Sequence, residues 1–149
     1  MSIYETKHHL FKLFVLEHKK DEKITDEDIR KTCDSYLSRQ DYTWKNVFAE
    51  NGELVGFILI AKKEAAQPYA DYYVSGAYIL PEYQGKHLLT TVFKEYEEEH
   101  QGTWGVMTPI CDAKILSFWD KTMTDIGYRK IDFPQIKHQS KIPQRLYQK

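Results

Sequence analysis

Between Pro81 and Leu89 the chain reads Pro-Glu-Tyr-Gln-Gly-Lys-His-Leu-Leu. A strand-like apolar run stops at Pro81, and a helical pattern begins near Gly85. The first turn of a helix exposes several N–H groups that have no intrahelical acceptor. Their dipoles add, so that end attracts an anion. Glycine allows a phosphate to approach the backbone because it carries no Cβ. The N–H groups of Gly85, Lys86, His87, Leu88 and Leu89 are therefore candidates to face one phosphate, with Lys86 and His87 adding positive charge. The plainer reading is an ordinary strand-to-helix turn, and the residue types alone leave both open.

Other candidate residues are fewer. Tyr69, Tyr72 and Tyr73 form a cluster of rings that can stack on a cation. Asp71 and Glu82 are nearby carboxylates that also suit a solvated surface. Cys33 and Cys111 fit no zinc spacing, and Cys111 has no neighbouring His to make it a nucleophile. His8 and His9 are adjacent, so on a helix they do not face one site. No metal site is expected.

The elements that position these residues follow from periodicity. Residues 3–20 carry Leu10, Phe11, Phe14 and Val15 at helical spacing, with a strand over residues 9–16 as the competing reading. Thr25 suits a helix N-cap, followed by Asp26, Glu27 and Asp28 at the positive end of the dipole. Ile29, Cys33, Tyr36 and Leu37 complete that helix's apolar stripe, which ends near Arg39. Residues 43–50 and 54–61 read as a hairpin around Asn51-Gly52, since both turn residues tolerate positive φ. Gln67-Pro68 breaks the pattern. Residues 70–80 are apolar or small on both faces, as in a central strand covered on both sides.

Residues 85–100 return to helical spacing through Leu88, Leu89, Val92, Phe93 and Tyr96, with Glu97, Glu98 and Glu99 expected on a solvated face. A strand over residues 103–108, a helix over residues 113–124 and a strand over residues 128–133 follow, with Gly127 closing the last helix. The final fifteen residues are polar and read as an edge strand or a tail. The segment from residue 70 to 107 is a strand-helix-strand unit of parallel type. The class is α/β with a mixed sheet.

A length of 149 residues argues for one domain. Apolar residues make up 42%, which supplies a core without staples. With 21 basic and 22 acidic residues the formal net charge is −1, which argues against nucleic acid or an anionic membrane as partner. No run approaches the roughly 20 apolar residues that span a bilayer, and the charged N-terminus lacks the order of a signal peptide. A cytoplasmic protein with free thiols is expected. A homodimer through the C-terminal segment is compatible with the sequence, although no feature points to it.

Residues 74–99 resemble the acetyl-CoA-binding region of the GNAT superfamily of N-acetyltransferases. That family carries Arg/Gln-x-x-Gly-x-Gly/Ala after a strand ending in Val-x-Pro. Ile79-Leu80-Pro81 is similar to the strand end, Gln84 to the first motif position and Gly85-Lys86 to the residues after it. His87 stands where the first motif glycine is expected, and Leu89 where Gly or Ala is expected. Residues 112–132 are similar to the family's later helix, with Asp112 at an Asn position, Trp119 at a Tyr position and Gly127-Tyr128 at a Gly-Phe position. Leu54-Val55-Gly56-Phe57 resembles its Val-Gly strand. The resemblance covers roughly residues 47–132.

This resemblance implies a mostly antiparallel sheet with a splayed parallel pair at its centre, flanked by about four helices. It implies acetyl-CoA as co-substrate, held by Tyr78, Ile79 and Leu80 along the strand end, by Gln84, Gly85, Lys86, His87, Leu88 and Leu89 at the corner, and by Asp112. It implies direct attack on the thioester by a primary amine of a small molecule or peptide. A backbone N–H near Ile79 would polarise the carbonyl. Tyr73 falls near the family's general base. Tyr73, Ser75, Ala77 and Ile79 would share a strand face, making Tyr72, Tyr73 and Ser75 the expected substrate contacts. Trp119 replaces the phenol that serves as general acid, and an indole N–H gives no proton to a leaving thiolate. Ser117, Cys111 or another tyrosine is then the substitute, or water takes that part. The departures at His87, Leu89 and Trp119 suit a second reading, a coenzyme-binding module of the same fold without turnover.

Overall fold

In a computed structural model of the chain, residues 1–18, 23–62, 69–107, 113–131 and 145–149 are described. Gln67, Pro68, Cys111 and Asp112 lie outside them. Helix α1 spans Ile3–His18 and helix α2 spans Asp26–Ser38. Thr25 caps α2 as expected: its hydroxyl accepts from the Asp28 amide at 3.1 Å. Leu10, Phe11 and Phe14 of α1 and Ile29 and Cys33 of α2 are buried in one cluster with Phe57 and Leu59. Burial pushes the Cys33 thiol up to about 12, so it fills space as a small apolar group.

Strands β1 (Tyr42–Phe48) and β2 (Leu54–Lys62) form the expected hairpin, with Gly52 at φ 85° in the turn. Strand β3 (Tyr72–Ile79) pairs antiparallel with β2. A 3-10 turn over Pro81–Tyr83 leads to helix α3 (Leu88–Glu98), then to strand β4 (Trp104–Val106), which runs parallel to β3. Helix α4 (Ala113–Asp125) and strands β5 (Arg129–Ile131) and β6 (Arg145–Gln148) complete the described elements. The sheet order is β1-β2-β3-β4-β6-β5, and only β3 with β4 is parallel. This is the mixed sheet with one parallel pair that the resemblance implies. No described helix is long and apolar enough to cross a membrane.

The sheet separates two cores. Phe57 and Leu59 pack under α1 and α2, while Ile58, Ile60 and Val74 pack with Phe93, Trp104, Trp119 and Met123 on the other side. Phe93 meets the rings of Trp104 and Trp119 edge-on at 5.0 and 5.2 Å, the arrangement that ring quadrupoles favour.

Four details differ from the sequence reading. First, α3 begins at Leu88 rather than Gly85, because Gly85 (φ 81°) and His87 (φ 60°) are left-handed and cannot lie in a right-handed helix. Second, β6 is no edge strand or tail: it lies between β4 and β5, with Leu146 and Tyr147 each 1% exposed. Third, Glu97 is not solvated. It is 3% exposed, accepts from the Tyr128 hydroxyl at 2.8 Å and pairs with Lys149 Nζ at 3.2 Å.

The fourth difference is a bulge. Leu59 pairs with Gly76 and Ile60 with Val74, so Ser75 has no partner on β2. The extra residue reverses the alternation. Tyr73 joins Ala61 and Leu146 on the α1 side of the sheet, where Gly76 faces Phe14. Val74, Ala77 and Ile79 join the α3 side. Tyr73 therefore does not share a face with Ala77 and Ile79, contrary to the two-residue period.

Glu97→Ala leaves the buried Tyr128 hydroxyl without its acceptor, an expected loss of about 1–3 kcal/mol in urea denaturation. Burial, helped by the Glu97 carboxylate, also holds the Tyr128 phenol above the usual tyrosine range, and burial does the same for Tyr42, Tyr73 and Tyr96. A raised phenol keeps its proton longer in the folded state. Its stabilisation is full below pH about 10 and is lost as pH rises beyond it. The melting temperature is expected to fall above that pH, with these phenolates appearing at 295 nm only as the chain unfolds.

Candidate functional site

The parallel ladder is short. Tyr72, Tyr73 and Val74 pair with Trp104, Gly105 and Val106, and Met107 N donates to Val74 O at 2.8 Å. Beyond Val74, β3 runs on for five residues with no described strand on that edge. Leu80 N donates to Val55 O at 2.9 Å, toward β2. Strand alternation then turns the N–H and C=O of Ile79 to the open edge. Gln84 Nε2 approaches that carbonyl at 3.5 Å. The Ile79 N–H points away from β2, to the edge that has no described strand.

The corner sits at the same end. Tyr83 N donates to Leu80 O at 2.9 Å and Gln84 N to Pro81 O at 3.2 Å, which closes the 3-10 turn. Gly85 and His87 then both take positive φ, and a Cβ built on Gly85 would meet nothing within 4 Å. The first amide of this region with an intrahelical acceptor is Thr91 N, which reaches His87 O at 3.0 Å; the Thr90 and Thr91 hydroxyls share that carbonyl at 2.9 and 2.8 Å. Among the described residues no acceptor is found for the amides of Gly85, Lys86, His87, Leu88, Leu89 and Thr90. Positive φ at Gly85 and His87 bends the backbone ahead of the helix, and the free amides of a helix N-terminus suit an anion. The His87 and Lys86 side chains are exposed, so neither fills the corner from the core side. A diphosphate fits this corner by donor count and by the open space beside Gly85.

The other expected site residues are distributed differently. Tyr73 is fully buried, and its hydroxyl accepts from the Tyr69 and Ala70 amides, each at 2.8 Å. Burial holds its phenol above the usual range, the wrong direction for a base near neutral pH. Tyr72 lies on the opposite face, against Trp104 at 5.0 Å and His100 at 5.5 Å. The two rings therefore do not line one wall. Asp71 is taken up by the backbone, its carboxylate accepting from Thr103 N at 2.9 Å. Ser75 is the bulge residue just past the described ladder with β4, and it is half-buried.

Trp119 is 2% exposed and packed on Phe93, whereas Ser117, two residues earlier on α4, is exposed on another side of the helix. Tyr78 faces the α1 side, and burial, with Glu17 and Glu82 nearby, raises its phenol. Residue types alone point to neither the bulge nor the left-handed His87. The signal for His87 is its place at a position where the resemblance expects a glycine, the residue that takes positive φ without strain.

A model of the family described as "Acetyltransferase (GNAT) family" matches residues 7–113. No curated protein matches the chain's sequence. Among solved structures, an acetyltransferase from Thermus thermophilus is similar with 16% identity over 97% of this chain and 88% of that one, at a TM-score of 0.64. The aminoglycoside 6'-N-acetyltransferase AAC(6')-Ih from Acinetobacter baumannii is similar with 10% identity over 95% of each chain, at a TM-score of 0.61. A second aminoglycoside N-acetyltransferase, AAC(6')-Iy in complex with CoA, shares 12% identity over 91% of this chain and 90% of that one, at a TM-score of 0.58.

The corner's backbone leads to two paired outcomes. His87→Gly removes left-handed strain worth about 1 kcal/mol, and the melting temperature is expected to rise by about 2–4 °C. Gly85→Pro cannot take φ 81° and loses an N–H. It is expected to weaken coenzyme A binding in calorimetry at least tenfold, a drop of about 1.4 kcal/mol.

Proposed function

This chain belongs to the acetyltransferase (GNAT) family, whose members are acyltransferases, and from that premise we propose that it moves an acetyl group from acetyl-CoA to a primary amine of a small molecule or peptide. The observation that carries the reading is a coincidence of place. Six amides without acceptors and the open edge of β3 meet at one corner, the first suited to a diphosphate and the second to an amide-bearing arm. Acetyl-CoA supplies the activated thioester when bound.

The chain's own groups do the rest by positioning. Amides of residues 85–90 hold the negative end, and the Ile79 N–H, at the open edge, is placed to donate to a carbonyl oxygen as charge develops there. Holding an amine against such a carbonyl removes much of the entropic barrier. Acid–base help is sparse. Tyr73 is held in its neutral form and Trp119 is a core ring, so the amine's proton leaves through water beside Ser75, and the thiolate takes its proton from water, with the exposed Ser117 able to offer it a hydrogen bond. One domain carries both binding and transfer.

The buried Trp119 favours a second reading, a module that binds the coenzyme without turnover. Incubation of the purified chain with acetyl-CoA and a panel of primary amines separates the two. Thiol release that rises with amine concentration is the expected result. Thermal stabilisation by coenzyme A without release would establish the binding module, and neither response would overturn both readings.

A further inference from the structure

The anion corner does not stand alone. Tyr83, the last residue of the 3-10 turn, donates its hydroxyl to Glu53 Oε2 at 2.9 Å. Glu53 lies in the β1–β2 turn, thirty residues earlier in the chain. That turn holds Glu53 by its backbone and by its carboxylate. Glu53 N donates to Asn51 Oδ1 at 2.9 Å, and Asn51 Nδ2 reaches Glu53 Oε2 at 3.4 Å. The turn's backbone is closed by Gly52 N to Ala49 O at 2.9 Å and Ala49 N to Glu53 O at 2.8 Å.

On the other side of the ring, Lys86 Nζ lies 5.4 Å from the Tyr83 centroid. A ring face attracts an ammonium. A hydroxyl that donates to a carboxylate makes the ring more electron-rich, which strengthens that attraction. The charge-assisted bond also raises the Tyr83 phenol, the Glu53 carboxylate being the largest cause. Lys86 immediately follows Gly85 in the run of amides without acceptors.

We propose that Glu53 and Tyr83 are positioning residues of the coenzyme site: anchored by the β1–β2 turn, they hold the 3-10 turn and the Lys86 ammonium beside the amides of residues 85–90. The hairpin turn is thereby part of the anion-binding apparatus although it contributes no group to the anion. Their effect is on coenzyme affinity and not on the chemical step. A half-buried tyrosine and an exposed glutamate with no such role would leave coenzyme affinity unchanged. The proposal rests on the reading of this corner as the coenzyme site.

The test is calorimetry with coenzyme A, joined to kinetics with the best amine of the panel. Tyr83→Phe keeps the ring and loses the bond, and Glu53→Ala loses the acceptor. Each is expected to weaken coenzyme A binding roughly three- to tenfold, the range for one lost hydrogen bond. KM for acetyl-CoA is expected to rise in parallel, with kcat and KM for the amine unchanged. Glu53→Gln keeps an acceptor oxygen and is expected to restore most of the affinity. In the Tyr83→Phe background, Glu53→Ala is expected to add no further loss.

Wild-type binding with variants unchanged, with additive losses, or with a fall in kcat instead of affinity would overturn the positioning role and leave the coenzyme site standing. Absence of coenzyme A binding by the wild-type chain would remove the site itself, and the positioning role with it.

Discussion

Three residue pairs bear the fold's main tension. Strand β3 is central to the sheet, yet its parallel ladder with β4 ends at Val74 and Val106. Interior strands almost always satisfy both edges, because an unpaired buried amide costs about as much as a lost hydrogen bond. Beyond Val74 the second edge of β3 has no strand partner among the described residues. The bulge at Ser75 lies one residue past the end of the described ladder, so the strand changes its facing there. Above the bulge, Val74 packs toward Phe93 and Trp104. Below it, Gly76 receives Phe14 of α1, an approach that a Cβ on Gly76 would block at 2.9 Å. Both cores therefore close around the bulge at the end of the described ladder.

A second constraint follows at the corner. The chain must leave β3 and return over the sheet within a few residues, and it does so through two left-handed positions separated by Lys86. Glycine at position 85 takes such a φ without strain. Histidine at 87 does so at a cost, although His is among the residues that tolerate it better. Strain retained at a site is commonly linked to its use, and here it orients the amides that precede Thr91. Locally, the 3-10 turn, the Leu80 to Val55 bond and the Tyr83 to Glu53 bond all brace that conformation against the β1–β2 hairpin.

The parts of this architecture that are legible in the sequence are those set by neighbours in the chain. Asn51-Gly52, the Thr25 cap and the period of Leu88, Val92, Phe93 and Tyr96 each carry a local cause, and each element forms. The bulge leaves no such mark, since Ser75 fits a regular strand as readily as an irregular one, and the two-residue period therefore puts Tyr73 on the wrong face. Glu97 stands in a run of three glutamates, and only tertiary contact with Tyr128 and Lys149 separates it from its exposed neighbours. The amide corner is visible through Gly85, whereas the bond between residues 53 and 83 spans thirty positions and has no periodicity to reveal it.

The C-terminal strand holds β4 from its far side: Trp104, Gly105 and Val106 pair with Tyr147, Leu146 and Arg145. Tyr147 in turn donates to Asp120 of α4 at 2.8 Å, while Lys149 reaches Glu97 of α3 at 3.2 Å. The strand that reads as a polar tail thus ties both helices to the far side of β4. The inserted strand thus pairs the described backbone of β4 on both sides, while β3 beyond Val74 has no described strand on that edge.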